Sequence, residues 1–150
     1  MTLSLSRRCC LAISSLALAW ILLHPYVADA LCMRGDEYVR IGDALTAQRY
    51  YTRAVAVDPD SPSAVERFAF SALELRTRNE LTADVNVTTA FLKRHPEDFR
   101  IRLARALAFS AIGLSAEAAA DFRAVGAARR DLRYIKLADR LERRKGTPRT

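Results

Sequence analysis

This sequence predicts an all-α protein: a short solenoid of three helix–turn–helix repeats followed by a C-terminal capping helix. Three observations carry that reading. The 150 residues are rich in Ala, Leu and Arg and hold only five Gly and five Pro, a bias that suits helices. Gly42, Asn79 and Gly113 each stand between two helical patterns, 37 and then 34 residues apart. Gly, or Asn as the next best, suits the left-handed residue that ends a helix. Pro59, Pro96 and Arg130 then follow, each 17 residues after one of those positions. Self-similarity at a fixed period implies units that bury their apolar faces only against their neighbours.

The chain opens on a targeting pattern. Arg7 and Arg8 precede an uncharged run of 15 residues, Cys9 to Leu23, and Ala28-Asp29-Ala30 supplies an A-x-A site. A basic start, an apolar core and small residues at a cleavage site predict a secretory signal peptide over 1–30, cut after Ala30. Uncut, residues 9–23 predict an inner-membrane anchor, although the run is shorter than the ~20 residues that span a bilayer comfortably. The arginines hold the N-terminus inside, so both routes place the repeats in the periplasm.

The first unit, 28–61, reads Leu31-x-x-Arg34-Gly35-x-x-Tyr38, then Ala47-x-x-x-Tyr51, Ala54 and Pro59. The second, 65–98, keeps Phe68, Ala72, Leu75 and Pro96, with Asp84 and Thr88 where the pattern asks for a small residue and an aromatic. The third, 99–132, reads Ala106-x-x-Phe109, Gly113 and Ala118-x-x-x-Phe122. These units resemble the tetratricopeptide repeat, a helix–turn–helix unit of about 34 residues with the pattern W-x₂-L-G-x₂-Y…A-x₃-F…P. Leu31 stands where that family has its large aromatic, and Arg34 replaces the usual leucine. Packing gives the pattern its sense. Gly35, Ala47, Ala72, Ala106 and Ala118 let paired helices approach, while Tyr38, Tyr51, Phe109 and Phe122 fill the space beside them. Pro62-Ser63-Ala64 are extra. Ser61 as N-cap and Pro62 as first helical residue predict one added turn on that helix.

The capping helix is predicted over 132–145. Asp131 caps it, and Tyr134, Leu137, Ala138 and Leu141 form its apolar stripe. Gly146 and Pro148 end it, leaving 146–150 as a disordered tail. Its other face carries Arg133, Lys136, Arg140, Arg143 and Arg144. The net charge of +7 is concentrated here. Basic and acidic residues number 14 each up to Phe122, against 10 and 3 from Arg123 onward.

No catalytic constellation emerges. Of two histidines, His24 belongs to the targeting segment and His95 precedes Pro96 at a helix end. No Cys/His group has metal-ligand spacing, and neither a Gly-rich phosphate loop nor G-x-S-x-G occurs. Asp36-Glu37, Asp58/Asp60 and Glu97-Asp98 read as helix-start and turn carboxylates. Cys32 is the only cysteine past the targeting segment and reads as a small buried apolar residue. Catalytic residues, metals, cofactors and a small-molecule substrate are therefore not expected. Export and the lack of a base-stacking aromatic pattern speak against nucleic acid.

The family resemblance implies a protein or peptide partner, held on a concave face lined by the first helix of each unit. Carried over, that face comprises Cys32, Asp36, Val39 and Arg40, then Glu66, Leu73 and Arg76, then Arg100, Leu103 and Leu107. Such a module is expected to act as an envelope scaffold or assembly factor. The alternative is a peripheral binder of anionic membrane or glycan acting through the basic capping helix. Tyr50 and Phe70, beside the core stripes, are further candidates for exposed or groove positions.

Overall fold

The computed structural model describes the backbone of residues 5–145 and the side chains of 23–143. The chain runs α1 (Leu5–Arg40), α2 (Ala44–Val57), α3 (Pro62–Leu75), α4 (Arg78–Arg94), α5 (Phe99–Ala111), α6 (Ser115–Arg129) and α7 (Leu132–Lys145). Connections of two to four residues force consecutive helices antiparallel. Each helix packs on the next in sequence, while α1 lies against α3 and α3 against α5. The first helices of the units thus line one wall, and α2, α4 and α6 back it. This is the all-α solenoid that the repeat pattern predicts.

Local chemistry explains the boundaries. Asp43, Ser61, Thr77 and Asp98 each accept a backbone N–H of the following helix, the amides left orphaned by helix geometry. Gly42 (φ 80°) and Gly113 (φ 88°) hold left-handed turns between the helices of units one and three. Unit two departs from expectation. Asn79 lies in the first turn of α4, and Arg76 (φ 54°) is the left-handed residue instead. Arg130 (φ 52°) ends α6 the same way, where the other units have proline. The extra residues also act differently. Pro62 does begin α3 behind Ser61, but α3 has 14 residues, like α2. The added turn emerges in α4, which has 17. Starting a turn early, α3 also ends early, and Thr77 caps α4 where Asn79 was expected to break the chain.

Three apolar clusters run along the stack. The first joins Cys32, Ala47, Tyr51, Ala54, Ala64 and Phe68. The second joins Val65, Phe91, Leu92 and Ile101. The third joins Ala106, Ala118, Ala119, Phe122 and Ala138. Two glycines permit the closest approaches. A Cβ on Gly35 would meet the Tyr51 ring at 2.3 Å, and one on Gly126 would meet Ile135 Cγ1 at 2.7 Å. The Gly35 contact is the close approach expected of that position. Gly126 does the same for α7.

Asp84 and Thr88 occupy the small and aromatic positions of α4, and both are fully buried. Thr88 Oγ1 donates to the Asp84 carbonyl at 2.6 Å. Neither carboxylate oxygen of Asp84 has a hydrogen-bond partner. Burial alone pushes its pKa up to about 8.

Helix α1 continues without a break through the A-x-A site, and Ala28 there is fully buried. The side chains of the apolar run up to Leu22 lie outside the described residues, as do Gly146, Pro148 and the rest of the 146–150 tail. Among the described residues, no helix is long and apolar enough to cross a membrane.

Candidate functional site

Two adjoining depressions form a groove along the wall made by α1, α3 and α5. One, of about 600 Å³, is lined by Val39, Tyr51, Glu66, Arg67, Phe70 and Arg100, among others. The other, of about 630 Å³, is lined by Leu73, Arg76, Leu81, Leu107 and Ala111. Phe70 and Glu74 border both and so sit at the middle. Three of the apolar side chains are left in water, with Val39 and Phe70 each 44 % exposed and Leu107 36 %.

Helical periodicity explains why these residues converge. In α3, Ala64, Val65, Phe68, Ala69 and Ala72 are buried against neighbouring helices. Glu66, Phe70, Leu73 and Glu74 follow at steps of four, three and one on the remaining arc. Phe70 therefore faces the groove because Phe68 and Ala69 take the core.

The floor is pinned by charge. Arg67 Nε donates to Asp36 Oδ1 at 2.9 Å and Oδ2 at 3.1 Å, and Tyr51 Oη donates to Asp36 Oδ1 at 2.7 Å. Burial pushes the Asp36 carboxyl upward. Hydrogen bonds from Arg67 and Tyr51 outweigh that and hold it below the usual carboxylate range. Burial, followed by the bond to Asp36, raises the Tyr51 phenol. The trio ties α1, α2 and α3 together. Beneath it, buried Gln48 donates to Glu80 Oε2 at 3.1 Å and accepts from Ser71 Oγ, linking α2 to α3 and α4. Above it, Arg100 approaches Glu66 at 3.7 Å.

The expected concave residues divide accordingly. Val39, Glu66, Leu73, Arg76, Arg100 and Leu107 line the groove, and Arg40 is exposed next to Val39. Asp36 is a structural tie in mid-helix and caps no helix start. Cys32 is only 2 % exposed and belongs to the first cluster, where burial pushes its thiol up to about 11. Leu103 packs against the cluster shared by α5, α6 and α7. These corrections have one cause: residues adjacent on the helical wheel are separated by where the neighbouring helix lies. Arg67 and Glu74 were not anticipated, since a charge inside an apolar helix pattern gives no sign of the direction it faces. Of Tyr50 and Phe70, only Phe70 lines the groove. Tyr50 stacks on Tyr38 with centroids 5.3 Å apart.

The basic helix is built differently. Its stripe, Tyr134, Ala138 and Leu141, joins the third cluster, while Leu137 points outward. Asp131 Oδ1 accepts from Arg133 N at 3.0 Å, as expected of a cap. Arg133, Lys136, Arg140 and Arg143 are all exposed, and the Arg144 side chain lies outside the described residues. His95 is local in its contacts, with its ring 4.5 Å from that of Phe91 and its Nε2 3.3 Å from Asp60 Oδ1.

Comparison with solved structures decides the architecture. The chain superposes on the Arabidopsis OM64 TPR domain with a TM-score of 0.67 at 20 % identity, covering 81 % of this chain and 98 % of that one. The fold is that of a tetratricopeptide-repeat domain. The first TPR domain of human RPAP3 matches with a TM-score of 0.63 at 21 % identity, covering 79 % and 98 % respectively. MamA of MSR-1 matches at 0.59 and 16 % identity, covering 79 % and 78 %. No family model matches the sequence, and no curated protein matches it significantly. The tetratricopeptide architecture is thus shared at sequence identities of 16 % to 21 %.

Proposed function

We propose that this chain is a non-catalytic interaction module of the cell envelope, holding a peptide or protein segment in the α1–α3–α5 groove as a scaffold or assembly factor. The observation that carries the reading is the line Val39, Phe70, Leu73 and Leu107, apolar side chains at the centre of a groove and partly exposed to water. A partner's apolar anchors seated there would remove that surface from water at about 25 cal/mol per Å². Charge sets the flanks. Arg67 and Arg100 are engaged by Asp36 and Glu66, whereas Arg40 and Arg76 are exposed at the rim, which suits acidic residues beside the anchors.

The envelope assignment rests on Arg7-Arg8 and the apolar run. The burial of Ala28 within an unbroken α1 favours the uncut, anchored form, since cleavage after Ala30 would remove part of the first repeat helix. A C-terminal reporter active only in the cytoplasm should be silent, and intact mass should retain Met1–Ala30.

The groove is tested by a photo-crosslinking side chain. Placed at Phe70, it should yield a discrete partner adduct in cells. Placed at exposed Thr82 on the backing helix α4, it should not. The double change Arg40→Glu/Leu73→Glu should abolish the Phe70 adduct while leaving helical circular dichroism unchanged. Equal adducts from both positions would remove the groove from the account.

A further inference from the structure

We propose that the outward face of α7 docks on an anionic phospholipid surface, independently of the groove. Asp139 and Glu142 are taken up by Arg123 of α6, at 3.2 Å and 2.6 Å, and at the helix start Asp131 accepts from both the backbone N–H and the guanidinium of Arg133, the latter at 2.8 Å. The carboxylates of α7 are thereby drawn to its flank against α6 and to its first turn.

The cations are left together. At 100° per residue, Arg133, Lys136, Arg140 and Arg143 fall within an arc of about 80°, opposite the Tyr134/Ala138/Leu141 stripe that packs on α6. All four are exposed; Arg133 is held by Asp131, which leaves Lys136, Arg140 and Arg143 as the positive surplus of the face. Leucines border the arc on either side, Leu132 at 66 % exposure and Leu137 at 36 %. A capping helix needs a polar outer face for solubility. It does not need the acids of α7 drawn off to Arg123 and Arg133, nor two leucines left bare beside the remaining cations.

The shape and charge select the occupant. A second copy of this chain would bring like charge to like charge. A peptide finds no concavity on a single convex helix face. A negatively charged plane matches: the cations lie near the phosphates while Leu132 and Leu137 enter the headgroup boundary. Polyanions in solution would satisfy the arginines and leave the leucines in water, so the leucines separate the two sources of negative charge.

The experiment uses the full chain with vesicles of phosphatidylcholine alone and of phosphatidylcholine mixed with phosphatidylglycerol. Neutral vesicles report whatever the N-terminal segment contributes, and the difference between the two reports α7. The wild type should prefer the anionic vesicles, with the preference falling as salt is added. Lys136→Glu/Arg140→Glu should reduce that preference by at least about fivefold per cation lost, with neutral-vesicle binding and the Phe70 adduct unchanged. Leu132→Ser/Leu137→Ser should weaken anionic binding as well. Absence of a preference in the wild type, or a preference untouched by the charge variant, would overturn the proposal. Full anionic binding by the leucine variant would also overturn it, because the face would then read negative charge without regard to lipid.

Discussion

Replacing Asp84 by Ala should stabilise this protein, and the gain should depend on pH. Asp84 is fully buried, its two oxygens lack partners, and burial raises its pKa from 3.8 to about 8. At pH 7 the folded chain keeps a proton that the unfolded chain gives up. At 1.36 kcal/mol per unit, holding it over the interval from 3.8 to 7 costs on the order of 4 kcal/mol. The sign follows from proton uptake. Between the two pKa values the folded state binds more protons, so stability falls as pH rises from about 4 and levels off above about 8. Alanine already fills the equivalent positions, Ala47 and Ala118, both fully buried. The space vacated should cost about 1 kcal/mol. The net gain is then roughly 3 kcal/mol at pH 7, a rise in thermal midpoint on the order of 10 °C, and close to nothing at pH 5. Urea unfolding of both proteins across this range measures it directly, since titrations elsewhere in the chain cancel in the difference. Asp84→Asn, which keeps the volume, should share the flattened pH profile. Parallel profiles for wild type and Asp84→Ala would refute the burial argument.

Three further outcomes are expected. Gly35→Ala should destabilise by roughly 1–3 kcal/mol in urea unfolding, because the clash with the buried Tyr51 ring outweighs the better helix propensity of Ala. Gly126→Ala should push against Ile135 and the Asp131 carbonyl, so amides of α7 should exchange with solvent faster than those of α2. In a Cys9→Ser/Cys10→Ser background, Cys32 should resist a disulfide reagent until the chain unfolds, since its thiol is buried and its pKa is about 11.

The sequence by itself determined the architecture, because period and helix punctuation are local. Gly42 and Gly113 mark turns through their own backbone freedom, Ser61 and Pro62 announce a helix start, and Gly35 and Ala47 declare a close approach by being small. Even the degenerate positions Asp84 and Thr88 were identifiable as departures from the pattern. What they meet there was not, since burial depends on which helices close over α4. The groove was legible in part. Helical spacing put Val39, Leu73 and Leu107 on first helices, but Cys32 and Leu103 share those helices and turn to the core clusters, while Asp36 is engaged by Arg67 in the groove floor. Only the tertiary structure decided that Arg67 ties the floor to Asp36, that Phe70 stands at the centre, and that Arg123 gathers the acids of α7. Those pairings cross helix boundaries, with 31 residues separating Asp36 from Arg67 and 19 separating Arg123 from Glu142. Their partners are chosen by the angle at which helices pack, a quantity that periodicity along one helix does not contain.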